Sequence, residues 1–388
     1  MVEYACLDKL KITHLRNINK LMVVHMGNFR TEFASDVTIC GKNCSRFPLI
    51  TENDDSVQMD VMRYLIHIFG NGASESSLVT YSAHLRDFYE QLSVNMLEVR
   101  HVSKEFLNGY KNAIELRSSS QYASQVLRTV LSYLDHLECR GFIQGVIGES
   151  NFVSITIGRT KKGGVSHSLS KGSASPKSNY FPLTDSVHVT KMFGPNCPRR
   201  RERFELMVEW GHVKGLRAKE ICALKLSQIP DEESIRQALI DDRCLEVRLL
   251  VTKGSRPRNI DVHPILLART LKWFEADRPA VVRMAMQRAL RKGLVIEVSD
   301  NIFISEVTGK AITSKSLSNA VRNAYKRAVA SGKLTKSQRV WLHGLRKLMI
   351  NRELDSRPIK DAYRRENELR QETGHGTLDS LGRYVADK

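Results

Sequence analysis

Apolar positions in the first half of the chain recur at helical intervals. Leu78, Tyr81, Leu85, Phe88 and Leu92 follow one another at spacings of 3, 4, 3 and 4 residues, which places them on one face of an amphipathic helix. Ser103 is positioned to cap a second helix carrying Phe106, Tyr110 and Ile114. A third helix is predicted from about Ser120 to Leu137, with Ala123, Val126, Leu127, Val130, Leu131 and Leu134 turned inward. Gly141 stands where that helix would stop. The helical pattern begins near Ser56, and its short connections predict a compact helical bundle over residues 56–157. Residues 1–55 read as an N-terminal extension, with a helix near residues 13–27 and an irregular stretch around Gly41 and Pro48.

The pattern then breaks. Residues 158–178 hold Arg159, Lys161, Lys162, Lys171 and Lys177 among Gly and Ser, with no acidic residue. Such a segment predicts a flexible basic linker over residues 158–180, with Lys161 and Lys162 lying along DNA phosphates. A second domain, residues 181–388, is again mostly helical. Its one strand-like interruption runs from Cys244 to Val262, where two β-rich runs flank Lys253-Gly254-Ser255-Arg256-Pro257 and predict a hairpin. The expected fold class is therefore mainly α, with a small β-hairpin or sheet in the second domain.

Charge narrows the choice of partner. Sixty Lys and Arg stand against 42 Asp and Glu, a net charge of +18. That excess points to a polyanion, because neutralising phosphates releases condensed counterions. No apolar run is long enough to span a membrane, and no secretory signal is expected from the opening residues. The seven cysteines are scattered and odd in number, which predicts thiols in a reducing compartment. Cys40 and Cys44 have the spacing of half a zinc site, but no second pair follows, so plain thiols are expected there. No Gly-rich nucleotide loop is present, which weighs against an ATP-driven enzyme.

Breaking a phosphodiester without hydrolysis requires cations for the non-bridging oxygens, a nucleophile, and an acid for the departing hydroxyl. The second domain offers each in turn. Gly215-Leu216-Arg217-x-x-Glu220 comes first, then Lys253 with Arg256 and Arg258 on the hairpin. His343-Gly344-Leu345-Arg346 follows, then Gly374-His375-Gly376, and finally Tyr384, nine residues beyond His375. His343 and Arg346 are spaced to share one helix beside the buried stripe of Leu342, Leu345 and Met349. Leu378, Leu381 and Val385 predict a short last helix with Tyr384 at the margin of its apolar stripe.

In order and spacing this set resembles the catalytic signature of the tyrosine recombinases, the phage integrase family, over roughly residues 180–388. The helical bundle before it is similar to that family's core-binding domain in type more than in motif. The resemblance implies site-specific cleavage and rejoining of double-stranded DNA through a 3′-phosphotyrosine, as in an integrase or a tyrosine-type transposase of a mobile element. Arg217 and Arg346 would clamp the phosphate, His343 and His375 would hydrogen-bond it, Lys253 would protonate the leaving oxygen, and Tyr384 would attack. Glu220 would hold Arg217, while Arg256 and Arg258 would meet DNA. No cofactor or metal is implied. Four copies would pair two DNA sites, with room for DNA-bending accessory proteins. The chain would work on the nucleoid in a bacterial cytoplasm, or in a eukaryotic nucleus. The alternative reading is a type IB topoisomerase-like strand transferase.

Overall fold

A computed structural model describes residues 28–161, 163–171, 180–251, 257–356, 362–374 and 381. The chain divides into two compact units, Met1–Pro176 and Lys177–Lys388.

In the first unit, β1 (Phe29–Ile39) and β2 (Lys42–Glu52) form an antiparallel hairpin, in register from Phe29 opposite Glu52 to Ile39 opposite Lys42. Its turn is the pair Cys40-Gly41, both at positive φ (48° and 73°), which matches the twist of the flanking strands. This corrects the irregular stretch expected around Gly41 and Pro48. Pro48 lies inside β2, and a two-stranded sheet leaves each strand an open edge where a residue without N–H can stand. The helix expected near residues 13–27 lies outside the described residues. Cys40 is exposed at the hairpin turn, whereas Cys44 is buried and its thiol is pushed up by that burial.

The bundle consists of α1 (Met59–Gly70), α2 (Glu75–Val94), α3 (Lys104–Arg117) and α4 (Ser120–Cys139). Ser74, Ser103 and Ser119 cap the last three, each side-chain oxygen accepting a backbone N–H of the first turn. Leu78, Leu85, Phe88 and Leu92 of α2 meet the inward stripe of α4, and Phe47 and Ile50 of the hairpin join the same core. The Tyr89 and Tyr133 hydroxyls pair at 2.6 Å inside it.

After α4 come β3 (Ile147–Gly148) with β4 (Ile155–Thr156), and β5 (Gly158–Arg159) with β6 (Val165–Ser166). Residues 158–171 were expected to be linker. Those described are instead folded onto α4: Leu169 is buried, and Arg128 donates to the Ser170 carbonyl at 3.2 Å. Arg159 forks onto Asp135 at 2.7 Å through both terminal nitrogens and reaches Glu149 at 2.9 Å, so its charge is already matched. Lys161 is exposed at the turn between β5 and β6, and Lys162 lies outside the described residues.

The second unit is helical around one hairpin. Its elements are α5 (Thr184–Met192), α6 (Pro198–Lys214), α7 (Ala218–Cys222), α8 (Glu232–Ile240), β7 (Leu245–Leu249), β8 (Arg258–Val262), α9 (Pro264–Lys272), α10 (Arg278–Leu290), α11 (Ser314–Ala330), α12 (Leu342–Ser356) and α13 (Ala362–Thr373). Strands β7 and β8 pair antiparallel from Leu245 opposite Val262 to Leu249 opposite Arg258, with Val247, Leu249, Ile260 and Val262 buried. The predicted hairpin is present. A π-helical turn, Trp273–Asp277, joins α9 to α10 without a break. Pro279 follows it, lacking an N–H and crowding the carbonyl four residues back, that of Glu275 in the π turn. The core gathers Trp210, Leu216, Ile221, Phe303 and Leu345, and the Trp210 indole donates to Thr270 at 3.1 Å. Among the described residues no helix is long and apolar enough to cross a membrane.

Candidate active site

The site is built where α6 ends. Gly215 closes that helix in the left-handed conformation, φ 60°, which glycine adopts without strain. A Cβ there would stand 2.4 Å from Met349 Cε and 3.6 Å from Arg346 Cγ of α12, so the backbone passes against that helix. Leu216 is buried, and Arg217 turns the chain into α7 as its N-cap residue.

Glu220 sits one turn on, with its side chain 1% exposed. Its carboxylate accepts four hydrogen bonds. Two come from Arg217, from the backbone N–H at 2.8 Å and from Nη1 at 2.9 Å. Two come from Arg258, from Nη1 at 2.8 Å and Nη2 at 2.9 Å. Burial pushes this carboxyl upward, but the Arg258 hydrogen bonds and charge, then those of Arg217, hold it below the usual range and keep it ionised. The expected pairing of Glu220 with Arg217 is present.

Arg258 corrects another expectation. It was expected to meet DNA, yet its side chain is only 9% exposed and all three guanidinium nitrogens are engaged. Besides its two bonds to Glu220, Nε donates to the Glu372 carbonyl at 2.7 Å. The first residue of β8 is thereby fastened to α7 and to the end of α13. A shallow cleft of about 500 Å³ opens beside it, lined by Arg248, Pro257, Asn259, Glu368, Gln371 and Glu372.

Arg346 and His343 lie on α12 as the spacing predicts, but they differ in exposure. His343 is exposed. Arg346 is fully buried rather than beside the core, because α12 is covered by α6 on one side and α13 on another. Its Nη1 donates to the Gly215 carbonyl at 2.8 Å and its Nη2 to the Thr373 carbonyl. Gly344 between the pair has a steric reason that the sequence does not reveal. A Cβ there would lie 2.7 Å from the Trp341 ring and 2.8 Å from Pro182 Cδ. Tyr180 stacks on Trp341 at 5.6 Å and donates to the Ser337 carbonyl, which fixes the segment that Gly344 abuts.

Lys253, Arg256, His375 and Tyr384 lie outside the described residues. Leu249 and Arg258 are the paired strand ends on either side of Lys253. A Cβ on Gly374, next to His375, would meet Arg258 Nη1 at 3.0 Å. Leu381, three residues before Tyr384, is buried with Met349, Ile350 and Leu369.

Two guanidinium groups, those of Arg217 and Arg258, thus share the Glu220 carboxylate, while Arg346 is held by the Gly215 and Thr373 carbonyls on either side. Positive charge that is fixed before a ligand arrives suits a phosphate, whose oxygens arginine can fork. Among the described residues, no three His, Cys, Asp or Glu side chains are gathered to hold a metal. In the first unit, a cleft of about 860 Å³ is lined by His67, Tyr81, His84, Arg128, His136 and Arg140, among others.

No protein-family model matches the chain, and no curated protein does. Solved structures do. A lambda integrase dimer bound to a COC′ core site matches at a TM-score of 0.55 and 14% identity, over 85% of this chain and 95% of that one. A lambda integrase tetramer bound to a Holliday junction matches at 0.52 and 15%, over 84% and 79%. The Tn1549 transposon integrase, in complex with circular intermediate DNA, matches at 0.50 and 13%, over 85% and 95%. At this identity the likeness establishes the fold: mainly helical, with small sheets, like the tyrosine recombinases.

Proposed function

We propose that this chain is a site-specific DNA recombinase that cleaves and rejoins double-stranded DNA through a 3′-phosphotyrosine. The observation that carries the reading is the meeting of the Gly-Leu-Arg-x-x-Glu and His-x-x-Arg motifs, more than a hundred residues apart in sequence: Arg346 donates to the Gly215 carbonyl, two residues before the Arg217 that Glu220 holds. These residues stand in a fold whose neighbours were solved bound to a COC′ core site and to circular intermediate DNA.

The chemistry follows from the residue types. Arg217 and Arg346 receive the scissile phosphate and offset the charge that builds on its non-bridging oxygens. The Tyr384 oxygen attacks phosphorus and loses its proton as the P–O bond to the 5′ oxygen breaks. Lys253 gives a proton to that oxygen, which leaves as a free hydroxyl. The 3′ phosphate stays bonded to Tyr384 until a 5′ hydroxyl attacks it and reverses the exchange. His343 and His375 hydrogen-bond the phosphate and carry the tyrosine proton. Lys161, Lys162 and Arg256 supply DNA contacts of the kind that position a duplex. By analogy with the Holliday-junction neighbour, four copies act on two paired sites. DNA-bending proteins assist where the sites are far apart, and the work is done wherever the host keeps its chromosome.

The test is covalent capture. Wild type and Tyr384→Phe are incubated with a fragment library of the source genome, non-covalent complexes are stripped with SDS, and DNA still attached to protein is sequenced. Adducts at a few related sequences in wild type and none in the variant are expected. Adducts spread over unrelated sequences would favour a topoisomerase, and none in wild type would overturn the catalytic reading.

A further inference from the structure

Arg258 has no part in the proposed chemistry, yet its guanidinium reaches two other elements of the site. It opens β8, five positions after Lys253 in the sequence. Its two terminal nitrogens fork the Glu220 carboxylate, which in turn holds Arg217 by side chain and backbone. Its Nε holds the Glu372 carbonyl. The next carbonyl, that of Thr373, accepts from Arg346, and Gly374 after it packs on the Arg258 side chain. Hence one guanidinium joins the hairpin, the α7 turn and the C-terminal end of α13.

We propose that Arg258 is a positioning residue that fixes Arg217 and the segment entering His375 relative to the hairpin that bears Lys253. This rests on the recombinase reading above. Three features separate the role from a DNA contact. The side chain is buried, its nitrogens are spent, and moving it onto a phosphate would strip a buried carboxylate of two ionic hydrogen bonds. Lysine cannot replace it, because one ammonium cannot fork both carboxylate oxygens and also reach a carbonyl on another element.

The experiment uses the full chain, a nicked duplex carrying the site recovered by covalent capture, and single-turnover adduct formation. Arg258→Lys should slow cleavage roughly 10- to 100-fold, the scale of a small misplacement of reacting groups. Duplex affinity should change less than twofold, and in Arg258→Met, which removes the charge, the salt slope should stay as in wild type, since a lost phosphate contact would lower that slope by about 0.9. A second duplex, with a methylphosphonate at the scissile position, lacks the charged oxygen that Arg217 answers. On it the defect should shrink to within about threefold, because misplacing that arginine then matters little. Arg258→Met, which keeps the aliphatic stem, takes over if the lysine variant does not fold. An undiminished rate overturns the proposal. So does an equal defect on both duplexes, which marks general disruption, and so does a shallower salt slope, which makes Arg258 a phosphate contact. In all three the wild type still forms adducts; if it forms none, the recombinase reading itself fails and takes this proposal with it.

Discussion

Glu220→Gln is nearly isosteric, and its cost follows from counting partners. The wild-type carboxylate accepts two bonds at each oxygen, from Arg217 at 2.8 and 2.9 Å and from Arg258 at 2.8 and 2.9 Å. Glutamine offers one acceptor oxygen, so its NH2 must face two N–H donors whichever way it flips. Two guanidinium groups also lose the only carboxylate between them, in a place where that carboxylate is 1% exposed. Removing one partner of a buried, hydrogen-bonded ion pair costs about 3–5 kcal/mol, and the second unit should lose that much stability at pH 7. The pH dependence has a defined sign. The folded carboxyl is held below its ordinary value, so its contribution is complete above about pH 5.5 and is lost as pH falls through the lowered folded value. Urea unfolding of wild type and variant from pH 8 to pH 3 should give a constant gap down to about 5.5 and a narrowing gap below it. A gap under about 1 kcal/mol at pH 7, or one that widens in acid, would refute the four-bond arrangement.

Other expectations follow from the same packing. Gly344→Ala must open contacts of 2.7 and 2.8 Å against two rings, so α12 or the Pro182 segment has to shift. Overpacking of about 1–3 kcal/mol, partly offset by about 1 kcal/mol of helix propensity, should lower the melting temperature by a few degrees, and adduct formation should slow about tenfold. Asp135→Asn removes the forked partner of Arg159 but leaves Glu149, so the first unit should lose about 1 kcal/mol in a urea titration while the second is untouched.

Much of this was legible because the signals are local. The inward stripe of α4 needs only a count of spacings, Ser103 as a cap only its neighbours, and the β7–β8 hairpin only a turn between β-rich runs. What stayed hidden is long-range. The β1–β2 hairpin has no clean alternation, since Phe47, Pro48, Leu49, Ile50 and Thr51 are buried in succession, and a proline inside a run argues against a strand. Arg258 looked like a DNA contact because a charged residue beside a turn is usually exposed. Its carboxylate lies 38 positions away in sequence and its carbonyl 114. Arg346 reads as a cation standing beside the core until α6 and α13 are seen to cover it. Gly344 gives no signal at all, because Pro182 meets it only in the folded chain.

The π-helical turn at Trp273–Asp277 bears on how this chain tolerates changes of length. Such a turn holds about one residue more than a regular helix needs to keep its two flanks in phase. Removing a residue there would bring α9 and α10 into regular helical phase, with the bend at Pro279 retained, so that Leu266 and Leu267 before it and Val281, Ala285 and Ala289 after it still face the core. The same deletion a turn away, within α10, would rotate everything after it by about 100° and swing apolar positions into water. The rod thus has one place where its length can change by a single residue at little cost, and its gains and losses during descent should collect there.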